Sequence, residues 1–209
     1  LISCFLIVLV IRIMKIVATG GRGFPGLQGG VERHCENLYT HLAQLGCEII
    51  VFTRKPYVDA GIHTYKGLTL VPVPCPRNKY FEAIIHTFIS ILKAKQLKPD
   101  ILHIHGIGPS VFAFLARLIG MKVLVTNHGA DYKRKKWSLP AKIFLQFCEM
   151  IGVKFANEVI AISHNIADDL RRKYHINATV IPNGVEIPEP VETDKMLEKF
   201  GLIKNKYIL

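Results

Sequence analysis

From Met14 onward, short β-branched runs alternate with longer amphipathic stretches. That alternation is the sequence form of βαβ units wound around a parallel sheet. Strands are predicted over Lys15–Thr19, Glu48–Thr53, Thr69–Val73, Ile101–His105, Val123–Thr126, Glu158–Ile162 and Thr179–Ile181. Seven strands suffice for an α/β domain with a Rossmann-like, doubly wound parallel sheet. The first helix is the clearest. Val31, Cys35, Leu38, Leu42 and Leu45 recur at spacings of four and three, Glu32, Arg33, Glu36, His41 and Gln44 fall on the other face, and Gly46 ends it. Further helices fit Tyr80–Gln96, Ser110–Ile119, Ser138–Ala156 with Pro140 in its first turn, and His164–Tyr174 behind a Ser163 cap.

Half of the 209 residues are hydrophobic and 21% are charged, which excludes disordered and low-complexity classes. Lys and Arg total 27 against 16 acids, a net charge of +11 that favours anionic partners such as phosphates or acidic lipid. The five cysteines are dispersed and form no C-x-x-C, so neither a disulfide framework nor a zinc knuckle is expected, and a reducing cytoplasm fits. Residues 1–13 form an apolar leader too short to span a bilayer, which takes about 20 residues. It reads as sequence upstream of a start at Met14, with a membrane anchor or an extra strand as alternatives. Residues 14–185 carry the α/β pattern. Past the Pro182-Asn183-Gly184 turn, residues 186–209 read as a Pro- and acid-rich linker, a short helix over Asp194–Phe200, and the start of a truncated second domain at Tyr207-Ile208-Leu209.

The chemistry concentrates in the loop between the first strand and first helix, Gly20-Gly21-Arg22-Gly23-Phe24-Pro25-Gly26-Leu27-Gln28-Gly29-Gly30. Six glycines allow a close backbone approach to a ligand, and the helix N-terminus behind them offers amides and a partial positive charge to phosphate. A flexible turn without a ligand is the plain alternative. One competing motif is Gly20-x-x-Gly23-x-x-Gly26 with Tyr132-x-x-x-Lys136, which is similar to the NAD(P) loop and catalytic pair of extended short-chain dehydrogenases and epimerases. Against it, the helix begins several residues after Gly26. The second strand also ends in Thr53-Arg54-Lys55, with no acid for a ribose hydroxyl, although an NADP enzyme could use Arg54.

A broader set of residues points elsewhere. Met14-Lys15-Ile16-Val17, Gly29-Gly30-Val31-Glu32, Pro99-Asp100-Ile101-Leu102-His103-Ile104-His105-Gly106, Thr126-Asn127-His128-Gly129, Val159-Ile160-Ala161-Ile162-Ser163 and Val180-Ile181-Pro182-Asn183-Gly184-Val185 occur in one order across nearly all of residues 14–185. Together they resemble the N-terminal, acceptor-side domain of glycosyltransferase family 4, one half of the two-domain GT-B architecture. The resemblance implies a retaining hexosyl-type transferase of glycan or polysaccharide biosynthesis, moving sugar from a nucleotide-sugar donor to a glycan or lipid-linked acceptor. Gly29 and Gly30 then match the glycines facing the donor diphosphate, and His128 the histidine beside the transferred sugar. Glu32, His105 and Asp131 become candidate acceptor contacts, and Asn183-Gly184 the hinge to the second domain. The resemblance also implies retention without a dedicated protein nucleophile, the departing phosphate itself helping to deprotonate the acceptor on the same face.

No Asp-x-Asp occurs, so the resemblance implies no metal and no cofactor beyond the nucleotide-sugar co-substrate. His103 and His105 share one side of their strand, and with His128 they suggest a metal set, but no carboxylate or fourth ligand is spaced with them. The family's paired glutamates, eight residues apart in its second domain, are absent. The chain is therefore expected to be inactive alone, and a non-catalytic anion- or partner-binding module stays open as an alternative. The run Lys133-Arg134-Lys135-Lys136 before Trp137 suggests a peripheral contact with an acidic membrane surface on the cytoplasmic side, or else a solvated loop. Nucleic acid is not an expected partner, since no recognised binding module presents the charge.

Overall fold

A computed structural model describes residues 13–59, 61–78, 81–184, 199–201, 203 and 206. The leader up to residue 12, the linker over 185–198 and the run 207–209 lie outside the described residues, as does Tyr80 at the expected start of the second helix.

The chain order is β1 (Lys15–Thr19), α1 (Gly30–Gln44), β2 (Glu48–Arg54), β3 (Thr64–Tyr65), β4 (Leu68–Val73), α2 (Glu82–Leu97) and β5 (Ile101–His105). It continues through α3 (Ile107–Ser110), α4 (Ala113–Leu118), β6 (Val123–Asn127), a 3₁₀ turn (Asp131–Lys133), α5 (Leu139–Phe155), β7 (Glu158–Ala161), α6 (His164–Tyr174) and β8 (Thr179–Val180). The sheet runs β3-β4-β2-β1-β5-β6-β7-β8, parallel throughout except for β3 against β4. From β1 the chain winds outward to β4, then returns to β5 on the other side of β1. This places the topological switch point between β1 and β5, where open α/β sheets gather ligands beyond the strand carboxyl ends.

Strand alternation sorts the core. Val17, Ile50, Phe52, Leu102 and Ile104 face α2 and α4, packing with Ile91, Ala94, Ala113 and Ala116. Ile16, Ala18, Ile49 and Val51 face α1, packing with Cys35 and Tyr39. The same parity turns His103 and His105 of β5 and Thr126 of β6 toward α1.

Three expectations need correction. Among the described residues seven strands become eight, because Lys66 and Gly67, both at positive φ, close a two-residue turn that folds Thr64–Tyr65 back on β4. The single helix over Ser110–Ile119 is two. It starts at Ile107, where Pro109 is tolerated in the first turn, and tightens to i→i+3 bonds at Val111 and Phe112 before α4. There α5 comes so close that a Cβ on Gly152 would lie 2.1 Å from Ser110 Oγ. Finally, the stripe predicted on α1 packs into the core at Val31, Cys35, Leu38 and Leu42 but not at Leu45, which caps the helix and is exposed, and Glu32 and Tyr39 are buried in addition.

Candidate functional site

The loop from Gly20 to Gly29 is seated on the carboxyl end of β5. Gly20 has φ +106°, and a Cβ there would lie 2.2 Å from the His105 carbonyl oxygen, so only glycine lets the loop pass. Buried Arg54 at the end of β2 donates to the Gly20 carbonyl at 3.0 Å and to Glu82 Oε1 at 2.8 Å. The arginine that a phosphorylated dinucleotide would need is thus committed to holding the loop.

Glu32 fixes the other end. Its Oε1 accepts from Arg22 Nε at 3.0 Å and from the Arg22 amide at 3.4 Å, while Arg22 Nη2 donates to the Gln28 carbonyl. Burial raises the Glu32 carboxyl, but the Arg22 hydrogen bonds and charge bring it net below the usual range. A Cβ on Gly29 would lie 2.1 Å from Glu32 Oε2, whereas one on Gly30 would meet nothing within 4 Å. Gly29 therefore makes room for the Arg22–Glu32 pair, and Gly30 leaves the first turn of α1 open to approach. The acid expected on the polar face of α1, and named as an acceptor contact, instead braces the glycine loop.

Behind the loop lies a chain of hydrogen-bonded side chains. Thr126 Oγ1 is 2.7 Å from His103 Nε2, His103 Nδ1 is 2.9 Å from Tyr39 Oη, Tyr39 Oη is 2.5 Å from His105 Nε2, and His105 Nδ1 is 3.1 Å from His128 Nε2. The half-buried His34 of α1 packs edge-on against His105 and His128. Burial drives every imidazole toward its neutral form: His103 to about 3, His105 well below its ordinary value, His128 to about 4 with a further push from His34 and an opposing pull from Glu32, and His34 downward. Each neutral ring carries one N–H and one lone pair, so the polarity of the chain couples the tautomer of His128 to the hydroxyl of Tyr39. His105 spends both nitrogens inside this chain, which leaves His128 as the member able to offer an atom, Nδ1, toward a ligand.

The turn carrying His128 is built by Asn127. Its Oδ1 accepts from the Gly129 amide at 2.8 Å, and its Nδ2 donates to Glu149 Oε1 at 2.8 Å. The buried Glu149 carboxylate also accepts from Tyr132 and Tyr174, each at 2.9 Å, and Lys173 Nζ donates to the Tyr132 oxygen at 2.6 Å. Tyr132 is therefore paired with Lys173 and not with Lys136. Burial and the neighbouring Glu149 charge push its phenol upward, opposite to what an ionising catalytic tyrosine requires. Asp131 turns to the basic run, bonding Arg134 at 2.9 Å and Lys136 at 3.6 Å, while Lys133 reaches Asp169 at 2.9 Å. Asn183 and Gly184 lie exposed beyond β8.

Of the residues singled out from sequence, Gly29, Gly30, Glu32, His105 and His128 come together at the β1/β5 switch point; Asp131 stands with the basic run. Sequence reasoning missed His34, Tyr39 and Glu149. Tyr39 had a signal, since it follows buried Cys35 by four residues on the same helix face. Glu149 had none, because only tertiary contacts identify a buried acid on α5.

The sequence model of glycosyltransferase family 4 matches residues 28–188. Among curated proteins, the phosphatidylinositol N-acetylglucosaminyltransferase gpi3 subunit of Schizosaccharomyces pombe is 28% identical over 195 residues, covering 86% of this chain and 42% of that protein. The chain spans less than half the length of the curated relatives it matches. Sucrose-phosphate synthase from Thermosynechococcus elongatus superposes with a TM-score of 0.74 at 21% identity, over 92% of this chain and 53% of that one. Anabaena HepE, solved with UDP and glucose, gives 0.63 at 16% identity, over 90% of this chain and 50% of that one. At these identities the likeness is one of fold, a GT-B-type Rossmann-like domain.

Proposed function

The chain belongs to glycosyltransferase family 4, and on that premise we propose that it forms the acceptor-side half of a retaining transferase that uses a nucleotide-sugar donor and a glycan or lipid-linked acceptor. The observation that carries this reading is one juxtaposition: the open first turn of α1 at Gly30 and the neutral imidazole of His128 meet at the same strand ends. The amides and dipole of α1 suit the donor diphosphate, whose charge grows as the sugar departs, so stabilisation is aimed where charge develops. The Arg22–Glu32 pair holds that turn in place before substrate arrives.

His128, neutral near pH 7, offers Nδ1 as a hydrogen-bonding group that positions the transferred sugar or the acceptor hydroxyl. It carries no charge that would compete for the leaving phosphate. The leaving phosphate takes the acceptor proton on the same face, as the family resemblance implies, so no protein nucleophile and no resident metal enter this step. A second domain behind Asn183-Gly184 supplies the remaining donor contacts, which makes the 209-residue chain inactive by itself.

A panel of nucleotide sugars with lipid and glycan acceptors tests the reading. The chain alone is expected to turn over none of them, and a protein carrying the family's second domain is expected to do so. In that protein His128→Ala lowers turnover by more than ~10-fold, about 1.4 kcal/mol of transition-state stabilisation, with the fold intact. Turnover by the chain alone, or an unchanged rate in the variant, overturns it.

The same reading places the protein at an acidic, cytoplasm-facing membrane surface. Leu139, Ile143, Phe144 and Phe147 lie exposed on α5 beside Lys133–Lys136 and Trp137. No helix among the described residues is long and apolar enough to cross a membrane. Residues 14–209 are expected to co-sediment with acidic vesicles at low salt, and to lose affinity when the four cations become Gln. Equal binding after that replacement removes the basic run from the interface.

A further inference from the structure

The hydrogen-bonded side chains behind the glycine loop have a direction. We propose that hydrogen bonds are donated along them from Thr126 through His103, Tyr39 and His105 to His128, which then meets its ligand with an Nδ1–H and no lone pair. On the transferase reading above, Thr126, His103, Tyr39 and His105 are positioning residues that act on substrate through His128. The four contacts alternate in length. Thr126 Oγ1 to His103 Nε2 is 2.7 Å and Tyr39 Oη to His105 Nε2 is 2.5 Å, while His103 Nδ1 to Tyr39 Oη is 2.9 Å and His105 Nδ1 to His128 Nε2 is 3.1 Å. A hydroxyl donor makes bonds about 0.2 Å shorter than an N–H donor. The two short contacts are therefore O–H bonds given by Thr126 and Tyr39, and the two long ones are N–H bonds given by His103 and His105. In the opposite direction His105 would donate an N–H across 2.5 Å, below the ~2.7 Å reach of such a bond, and Tyr39 would donate across the longer of its two contacts.

The count of protons leads to the same direction. Burial keeps the three imidazoles neutral, so each has one N–H and one lone pair, and each hydroxyl has one proton. With every proton bonded, the choice at one end fixes each group to the other. Thr126 is buried, and among the described residues its Oγ1 has no partner but His103. Donation toward Thr126 would strand that hydroxyl proton where neither protein nor water accepts it. Donation away from Thr126 leaves the spare proton on Nδ1 of half-buried His128, where a ligand can take it up. The stranded proton disfavours the first arrangement by at least ~5-fold. In buried rings the tautomer follows such hydrogen bonds. An Nδ1–H gives His128 no means of taking the acceptor's proton; it bonds an oxygen lone pair. On the attacking hydroxyl that bond would withdraw electron density from the nucleophile. The nucleotide-sugar donor, with the oxygens of its sugar and departing phosphate, is therefore the substrate that His128 holds.

Tautomers are read on the 209-residue chain itself, without any sugar transfer, so the result is independent of the activity assays. The chain is labelled with ¹⁵N-histidine, and two-bond ¹H–¹⁵N correlation at pH 7.5 shows which nitrogen of each ring is protonated. The His128 signals are assigned by their loss in His128→Gln. His128 is expected in the Nδ1–H form, in at least ~5-fold excess. Thr126→Val keeps the shape and removes the hydroxyl, and it brings the Nε2–H form of His128 to a comparable amount, while Thr126→Ser restores the wild-type signals. An Nε2–H form or an even mixture at His128 in the wild type overturns the direction, whatever the stability of the variants. Wild-type His128 signals in Thr126→Val overturn the control exerted by Thr126.

Discussion

The hydroxyl of Tyr39 is the joint between the core and the site, and Tyr39→Phe tests it with little change of shape. Tyr39 is fully buried, its oxygen lies 2.9 Å from His103 Nδ1 and 2.5 Å from His105 Nε2, and its ring packs edge-on against both imidazoles. Phenylalanine keeps the ring contacts and opens no large cavity, so the cost comes from the imidazoles. A hydroxyl has one proton, so it donates to one ring and accepts from the other. Its removal leaves one buried N–H and one buried lone pair without partners. At about 1–3 kcal/mol for each buried group left unsatisfied, the variant loses about 2–6 kcal/mol, a large share of the ~5–15 kcal/mol typical of a domain. Urea unfolding at pH 7.5, followed by circular dichroism, reads this as a lower midpoint at unchanged slope. Tyr65→Phe is the reference: its hydroxyl donates to Glu36 Oε1 at 2.6 Å in a half-buried position, and its loss costs about 1.5 kcal/mol, the low end for a bond to a charged group, because the carboxylate keeps Lys66, 3.7 Å away, as a partner. A loss below ~1 kcal/mol for Tyr39→Phe, or one equal to that of Tyr65→Phe, refutes the bridging role.

Acid should destabilise the fold early. His86 and His103 are pushed down to about 3 and His128 to about 4, chiefly by burial, against about 6.5 when unfolded. The unfolded chain therefore takes up protons first. Stability is full above pH ~6.5 and falls by about 1.4 kcal/mol per pH unit for each such histidine as pH drops toward 4; urea midpoints that stay level from pH 7.5 to 5 contradict it. Gly20→Ala combines a positive φ with a Cβ 2.2 Å from the His105 carbonyl and should cost more than ~3 kcal/mol, while Gly30→Ala, with open space around it, stays within ~1 kcal/mol of wild type. Thermal melts of the two variants check this, and equal melting temperatures mean that the loop is not seated on β5.

The α/β class, the strands of the parallel sheet and the helix over His164–Tyr174 were legible because they depend on local periods and caps. β5 alternates over five residues, and Ser163 Oγ accepts from the Ile166 amide to start α6 where the sequence places it. The glycine loop was legible for a related reason, since a strand followed by six glycines and a helix has few uses. Tertiary structure decided what each polar residue does. Glu32 sits in the polar stripe of α1 by spacing, yet the return of the loop over the helix buries it against Arg22. Tyr132 has a lysine four residues ahead, but the packing of α6 against α5 brings Lys173 to it instead. His34 and Tyr39 reach His103, His105 and His128 only because the crossover lays α1 across β1 and β5, more than 60 residues apart in sequence. Periodicity records which face of an element is apolar, but a polar partner on another element leaves no local trace. The histidine cluster is therefore a product of the topology, even though each of its members is visible in the sequence.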